Sequence, residues 1–152
     1  MSLELKIPPP IVALLVAGAM WVAAHLSGRL EVPEPVRILG GIILALIGGG
    51  VTFSGARAFR KVKTTINPLT PEKTSTFVRT GIYGVTRNPM YLGLLFVITG
   101  WSVFLASAYA LLGLPGFVLY IGRFQITPEE RMLEKLFGSA YSDYRLKVPR
   151  WL

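Results

Sequence analysis

Cysteine is absent from the 152 residues and histidine occurs once. The first absence removes disulfides, thiolate nucleophiles and cysteine-ligated metals together, and the second removes a multi-histidine zinc site. Charge is also scarce. Only 16% of residues are charged, against about 25% in ordinary soluble domains. Acidic residues are the scarcer sign, 8 against 16 lysines and arginines, leaving a net charge of +8. What is abundant is apolar: 52% of residues are hydrophobic and mean hydropathy is +0.53. Such a chain lacks the polar residues to cover a water-facing surface, which excludes an ordinary soluble enzyme and a disordered segment.

The apolar residues fall in long runs. A helix crossing a bilayer core of about 30 Å needs about 20 residues, with a range of roughly 17–25. Residues 11–26, after the Pro8-Pro9-Pro10 breaker, and residues 38–56 are both free of charge. Residues 89–124 carry one charge, Arg123, and are too long for one span; they divide near Ser107-Ala108-Tyr109 into spans 90–106 and 108–124. The sequence therefore predicts one domain over 1–152, an all-α integral membrane protein with four transmembrane helices. A tight hairpin joins the third and fourth spans, and Pro115 is expected to kink the fourth. Residues 1–10 carry one lysine and one glutamate, and Ala23-Ala24-His25 is a poor cleavage site, so a transmembrane helix is preferred there to a signal peptide.

Charge placement orients this bundle. Arg29 and Arg37 are the only cations between the first two spans. The rest lie before the first span, between the second and third, or after the fourth, which by the positive-inside rule predicts a multi-pass protein with both termini cytoplasmic, in a prokaryotic inner membrane. The basic excess is thus a topology signal with some attraction for anionic membrane lipids, and a nucleic-acid partner is excluded. On the second span, Gly41, Ala45 and Gly49 recur every four residues, as do Gly50 and Ser54. Small residues at this spacing let helices approach closely in lipid, within one chain or between two.

Three segments exceed what packing needs. The polar stretch 61–88 is long for a connection and ends in Gly81-Ile82-Tyr83-Gly84-Val85-Thr86-Arg87-Asn88-Pro89-Met90-Tyr91. Asn88 fits an N-cap and Pro89 a first helical position, and the same helix start would suit a bound carboxylate. After the fourth span, Thr127-Pro128-Glu129-Glu130 reads as a capping box that opens a short cytosolic amphipathic helix over 128–137, stopped by Gly138. Its carboxylate pair is either a helix start or a site. Arg123, near the inner end of an apolar span, either snorkels to the headgroups or faces a lipid's anionic group.

In this order, Gly81-Ile82-Tyr83, Arg87-Asn88-Pro89-Met90-Tyr91-Leu92-Gly93, Arg123, Glu129-Glu130, Phe137-Gly138, Tyr141, Tyr144 and Val148-Pro149 resemble the isoprenylcysteine carboxyl methyltransferase and phospholipid methyltransferase family of integral membrane enzymes. The resemblance covers about 76–149. It implies an S-adenosylmethionine-dependent methyltransferase acting on a lipophilic small molecule, lipid or lipidated acceptor at the cytosolic membrane interface. It also implies donor-binding residues at Phe77, Val78, Tyr83, Arg87, Asn88, Pro89, Tyr91, Glu129 and Glu130, with Arg123 as the catalytic, acceptor-orienting residue and no metal. Asn88 stands where the family usually has histidine; it can hydrogen-bond but cannot titrate near neutral pH, which leaves Tyr83 or Tyr91 as the remaining candidates for a base. Two other readings stay open: a nicotinamide-dependent membrane reductase related to sterol reductases, for which the chain is short, and a non-enzymatic four-helix membrane protein.

Overall fold

The computed structural model describes residues 4–62 and 77–152, and every regular element among them is helical. Helix α1 spans Pro9–Ser27, α2 Glu34–Val62, α3 Pro89–Leu105, α4 Gly113–Ile121, α5 Thr127–Phe137 and α6 Ser139–Lys147. A 3₁₀ turn, Gly81–Gly84, precedes α3, and a π-helical segment, Gly122–Ile126, joins α4 to α5. Of the expected loop over 61–88, residues 63–76 lie outside the described residues.

Three helical stretches are long and apolar enough to cross a membrane: Pro9–Ser27, Glu34–Arg60 and Ala110–Phe137. Helix α3 is as apolar but has 17 residues, the short end of the spanning range. Such helices make this a membrane protein. The third stretch also revises the sequence reading of the C-terminal half. Residues 127–137 do not begin a separate helix, because the chain runs on without a break from the fourth apolar segment. Thr127 is in helical conformation and its Oγ1 donates to the carbonyl of Gly122 at 2.7 Å, so the expected capping box does not form. With helix on both sides of Thr127, no free N–H groups remain for a cap to satisfy.

Pro115, where the sequence predicts a kink, follows the point at which a 3₁₀ turn, Ala110–Leu112, gives way to α4. A second irregularity, the π segment, sits before Pro128. That residue cannot donate to the carbonyl four residues back, on Phe124, and the π segment opens the helix there. The Phe124 carbonyl accepts the N–H of Leu5 at 3.0 Å, which satisfies it from outside the helix.

Packing in the apolar layer is uneven. Phe117, Ile121 and Ile126 are fully buried against Val12 and Ala13 of α1 and Tyr91 and Ile98 of α3, and Trp101 Nε1 donates to the Ala17 carbonyl at 3.0 Å. Helix α2 touches mainly α3, through backbone. A Cβ on Gly48 would lie 2.5 Å from the Gly93 carbonyl, and one on Gly100 would lie 2.7 Å from the Gly41 carbonyl. Gly55 meets Pro89 and Met90. Contact glycines of α2 thus recur at 41, 48 and 55, with Gly40 also meeting Val103, and those of α3 are 93 and 100. The seven-residue interval keeps one seam turned toward the neighbour. The expected stripe had Gly49 in place of Gly48; around Gly49 and Gly50 nothing lies within 4 Å. Substituting alanine at Gly50 should therefore leave α2–α3 packing intact and raise the thermal midpoint slightly, by about 0.5–1 kcal/mol of helix propensity.

Candidate functional site

At the Pro89 end of α3, four pieces of chain meet: the 77–88 segment, the first turn of α3, α5, and α6 with the tail that follows it. The tail is held by residues 86–88. The Arg87 N–H donates to the Pro149 carbonyl at 3.0 Å, Thr86 Oγ1 to the Arg150 carbonyl at 3.0 Å, and Asn88 Nδ2 to that same carbonyl at 2.9 Å. Thr86, 1% exposed, also accepts the Asn88 N–H. Asn88 precedes Pro89 as expected, yet its side chain is spent on the tail and makes no capping bond.

The acidic pair of α5 faces this junction and its two members have different partners. Glu130, 6% exposed, lies between two arginines: Arg87 Nη1 at 2.9 Å, and the Nε and Nη2 of Arg150 at 3.0 and 2.6 Å. Arg87 is nearly as buried as the carboxylate, whereas the Arg150 side chain is 43% exposed. The fork onto Glu130 pushes the Arg150 guanidinium above its ordinary range, although it is already cationic at any ordinary pH. Glu129 accepts a hydrogen bond from the hydroxyl of Tyr91, which is itself buried at the start of α3.

Aromatic rings form the rest. Tyr83, buried on its 3₁₀ turn, meets Phe59 of α2 edge to face at 5.3 Å, and its carbonyl accepts the Tyr144 hydroxyl at 2.7 Å. Phe77 packs among Phe137, Tyr141 and Tyr144 with ring centroids 5.0, 5.7 and 5.6 Å away. Val78 is buried. Burial, and after it the neighbouring Tyr144 and Glu129, holds the Tyr83 hydroxyl well above the usual tyrosine range. The shift makes the hydroxyl a weaker acid than an ordinary tyrosine. Tyr141 is pushed up to about 12, mainly by burial and then by Glu130. Gly138 separates α5 from α6 with φ +52°, a conformation glycine adopts without penalty, and so turns α6 back under the rings.

Phe77, Val78, Tyr83, Arg87, Asn88, Pro89, Tyr91, Glu129 and Glu130 thus lie in one region. Arg123 is not brought into it. Its side chain, 61% exposed, pairs with Glu4 at 3.1 Å. Sequence reasoning passed over Arg150, counted only as a topology charge, and Thr86, a small polar residue with no motif to mark it. Among the described residues no group of His, Asp and Glu is arranged to hold a metal ion.

The arrangement offers groups of both signs side by side. Arg87 Nε is a buried donor with no hydrogen-bond partner, which suits a carboxylate. A carboxylate has about four lone-pair sites, and Tyr91 engages only Oε1 of Glu129; Glu129 thus suits an ammonium or hydroxyls.

Residues 36–140 match the family model described as Phospholipid methyltransferase. A Haemophilus influenzae protein described as uncharacterized is 46% identical over 63 residues, which is 41% of this chain and all of that protein. No solved structure matches.

Proposed function

Because the chain belongs to the phospholipid methyltransferase family, we propose that it is an S-adenosylmethionine-dependent methyltransferase whose acceptor is lipophilic and arrives from the membrane. The observation that carries this reading is the meeting of Tyr91–Glu129 with the Arg87–Glu130–Arg150 triad at the foot of apolar helices. There a polar molecule from the cytosol and an oily one from the bilayer each reach the site from their own solvent. This reading includes a fourth span, α3, and a cytosolic site with both termini on the same side.

S-adenosylmethionine supplies a methyl group on a cationic sulfonium. Arg87 would hold its carboxylate, Glu129 its ammonium or ribose hydroxyls, and Phe77, Val78 and Tyr83 would supply an apolar wall. Glu130 acts at one remove, fixing Arg87 in place. Methyl transfer is an in-line displacement, so these residues contribute chiefly by aligning acceptor and methyl carbon and by excluding water. A carboxylate acceptor needs no proton removed, consistent with a site in which Asn88 replaces the family histidine and Tyr83 is a weaker acid than an ordinary tyrosine. Arg123, paired with Glu4 outside this cluster, has no contact with the reacting atoms in this reading.

Calorimetric titration of detergent-purified protein tests it. Expected is binding of S-adenosylmethionine and its demethylated product but not of NADPH; binding of NADPH alone would establish the reductase reading, and binding of none would remove the enzyme reading. Glu129→Ala should weaken donor binding about ten-fold or more, the loss of one charge-assisted hydrogen bond. Arg123→Ala should leave donor affinity within about two-fold.

A further inference from the structure

On α5, residues 128, 131, 132 and 135 share a face distinct from that of Glu129 and Glu130. There the chain's first described residues cross the π segment. Glu4 divides its carboxylate between two arginines, Oε1 to Arg123 Nη1 at 3.1 Å and Oε2 to Arg131 Nη2 at 2.7 Å. The Leu5 N–H donates to the Phe124 carbonyl, and Gln125, fully buried, donates its Nε2 to the Ile7 carbonyl at 2.8 Å. Arg123 and Arg131 are eight residues apart, about one more than two α-turns. The extra residue is taken up by the π bulge, which brings both guanidiniums to one side. Beside them opens a groove of about 540 Å³ lined by Glu4, Leu5, Lys6, Pro128, Arg131, Met132 and Lys135.

We infer that this groove is a binding site for the phosphate of an anionic phospholipid headgroup, with Glu4 holding the place that the phosphate takes. A phosphodiester offers two non-bridging oxygens, as the carboxylate does, and guanidiniums match such a pair of acceptors. Lys6 and Lys135 add positive charge beyond what Glu4 neutralises, which selects a net-anionic headgroup over a zwitterionic one. Leu5, Pro128 and Met132 give the groove an apolar floor, suited to the glycerol end of a lipid and not to free phosphate. The groove follows directly on an apolar helix, where headgroups lie. Release of Glu4 also frees Leu5 from φ +55°, a left-handed conformation that L-residues disfavour. Lipid and strap therefore compete for the same two arginines.

The test is titration of the full chain in an uncharged detergent with dihexanoyl-phosphatidylglycerol, dihexanoyl-phosphatidylcholine and inorganic phosphate. Expected is binding of the phosphatidylglycerol, about ten-fold weaker binding of the phosphatidylcholine, and weaker binding still of phosphate. Glu4→Gln should tighten phosphatidylglycerol binding about five-fold by removing the competing charge, and Arg131→Gln should abolish it. Lys135→Gln, at an exposed position, should weaken it several-fold without disturbing the strap, and serves if Arg131→Gln lowers the thermal midpoint. Equal affinity for the two lipids, phosphate binding as tightly as phosphatidylglycerol, or an unchanged affinity in Glu4→Gln would each overturn the inference. Because the readout is lipid binding, it stands or falls separately from methyl transfer.

Discussion

Glu130→Ala is expected to lower the stability of the detergent-solubilised protein by about 3–5 kcal/mol, the usual cost of stranding a buried partner charge. The stranded group is Arg87, whose side chain is 10% exposed and whose Nε already lacks a hydrogen-bond partner. With the carboxylate gone, both arginines are left facing each other with nothing between them. The 86–88 segment and the tail should then be held only by the hydrogen bonds from Thr86, Arg87 and Asn88 to the Pro149 and Arg150 carbonyls. Thermal melting followed by circular dichroism measures the loss, and donor titration should show affinity falling by more than ten-fold as Arg87 moves. The partner substitutions order the causes. Arg150→Ala should cost only on the order of 1 kcal/mol, because solvent screens that half-exposed side chain and Glu130 keeps Arg87. Arg87→Ala should fall between the two. An Arg150→Ala effect as large as that of Glu130→Ala would show that the tail, and not the buried charge pair, dominates.

The second large effect is expected at Gly93. A methyl group there would collide with Thr52 Oγ1 and stand 2.5 Å from the Gly48 carbonyl oxygen. A threonine side chain can rotate away; a helix backbone cannot. Gly93→Ala should therefore push α2 off α3 and cost about 3 kcal/mol, the upper end of ordinary overpacking, and larger side chains should prevent accumulation of folded protein. Thr52→Ala in the same chain should recover only part of the loss, since the carbonyl contact remains. Gly113 offers a control. A methyl group there meets side chains and no backbone, the Cγ and Sδ of Met20 and, at 3.3 Å, Val16 Cγ1, so Gly113→Ala should be milder than Gly93→Ala. Melting curves of the three variants decide the matter, and full rescue by Thr52→Ala would locate the obstruction in the side chain.

Some of this molecule could be read from residue order and some could not. The apolar helices were legible because a membrane span is defined by length and the absence of charge, both of which are one-dimensional. The clustering was legible as a set, since Tyr83, Arg87, Tyr91, Glu129 and Glu130, which the structure brings into one region, stand in the order of a family's motif. Who pairs with whom was not. Glu129 and Glu130 are neighbours in sequence with identical side chains, and only the direction of α5 sends one to Tyr91 and the other to the arginines. The capping box misled for a related reason: Thr-Pro-Glu-Glu is a valid helix start wherever the preceding chain is not already helical, and that condition is tertiary. Gly49 was chosen over Gly48 because a four-residue repeat and a seven-residue repeat share their first member, Gly41. The Glu4–Arg123 pair joins residues 119 positions apart, and no local pattern announces it.

The glycine seam between α2 and α3 has a mechanical consequence. Main chain rests on main chain where Gly48 meets Gly93 and Gly41 meets Gly100, so little can slide at those points and the two helices are expected to rock together as one plank. Helix α2 has 29 residues, about 43 Å at 1.5 Å each, longer than the hydrocarbon layer is thick, so its inclination answers to the thickness of the surrounding lipid. Because the plank's other half begins at Pro89 and Tyr91, any change in that inclination swings the tyrosine that engages Glu129. Thin and thick bilayers would thereby set the chemistry at different angles.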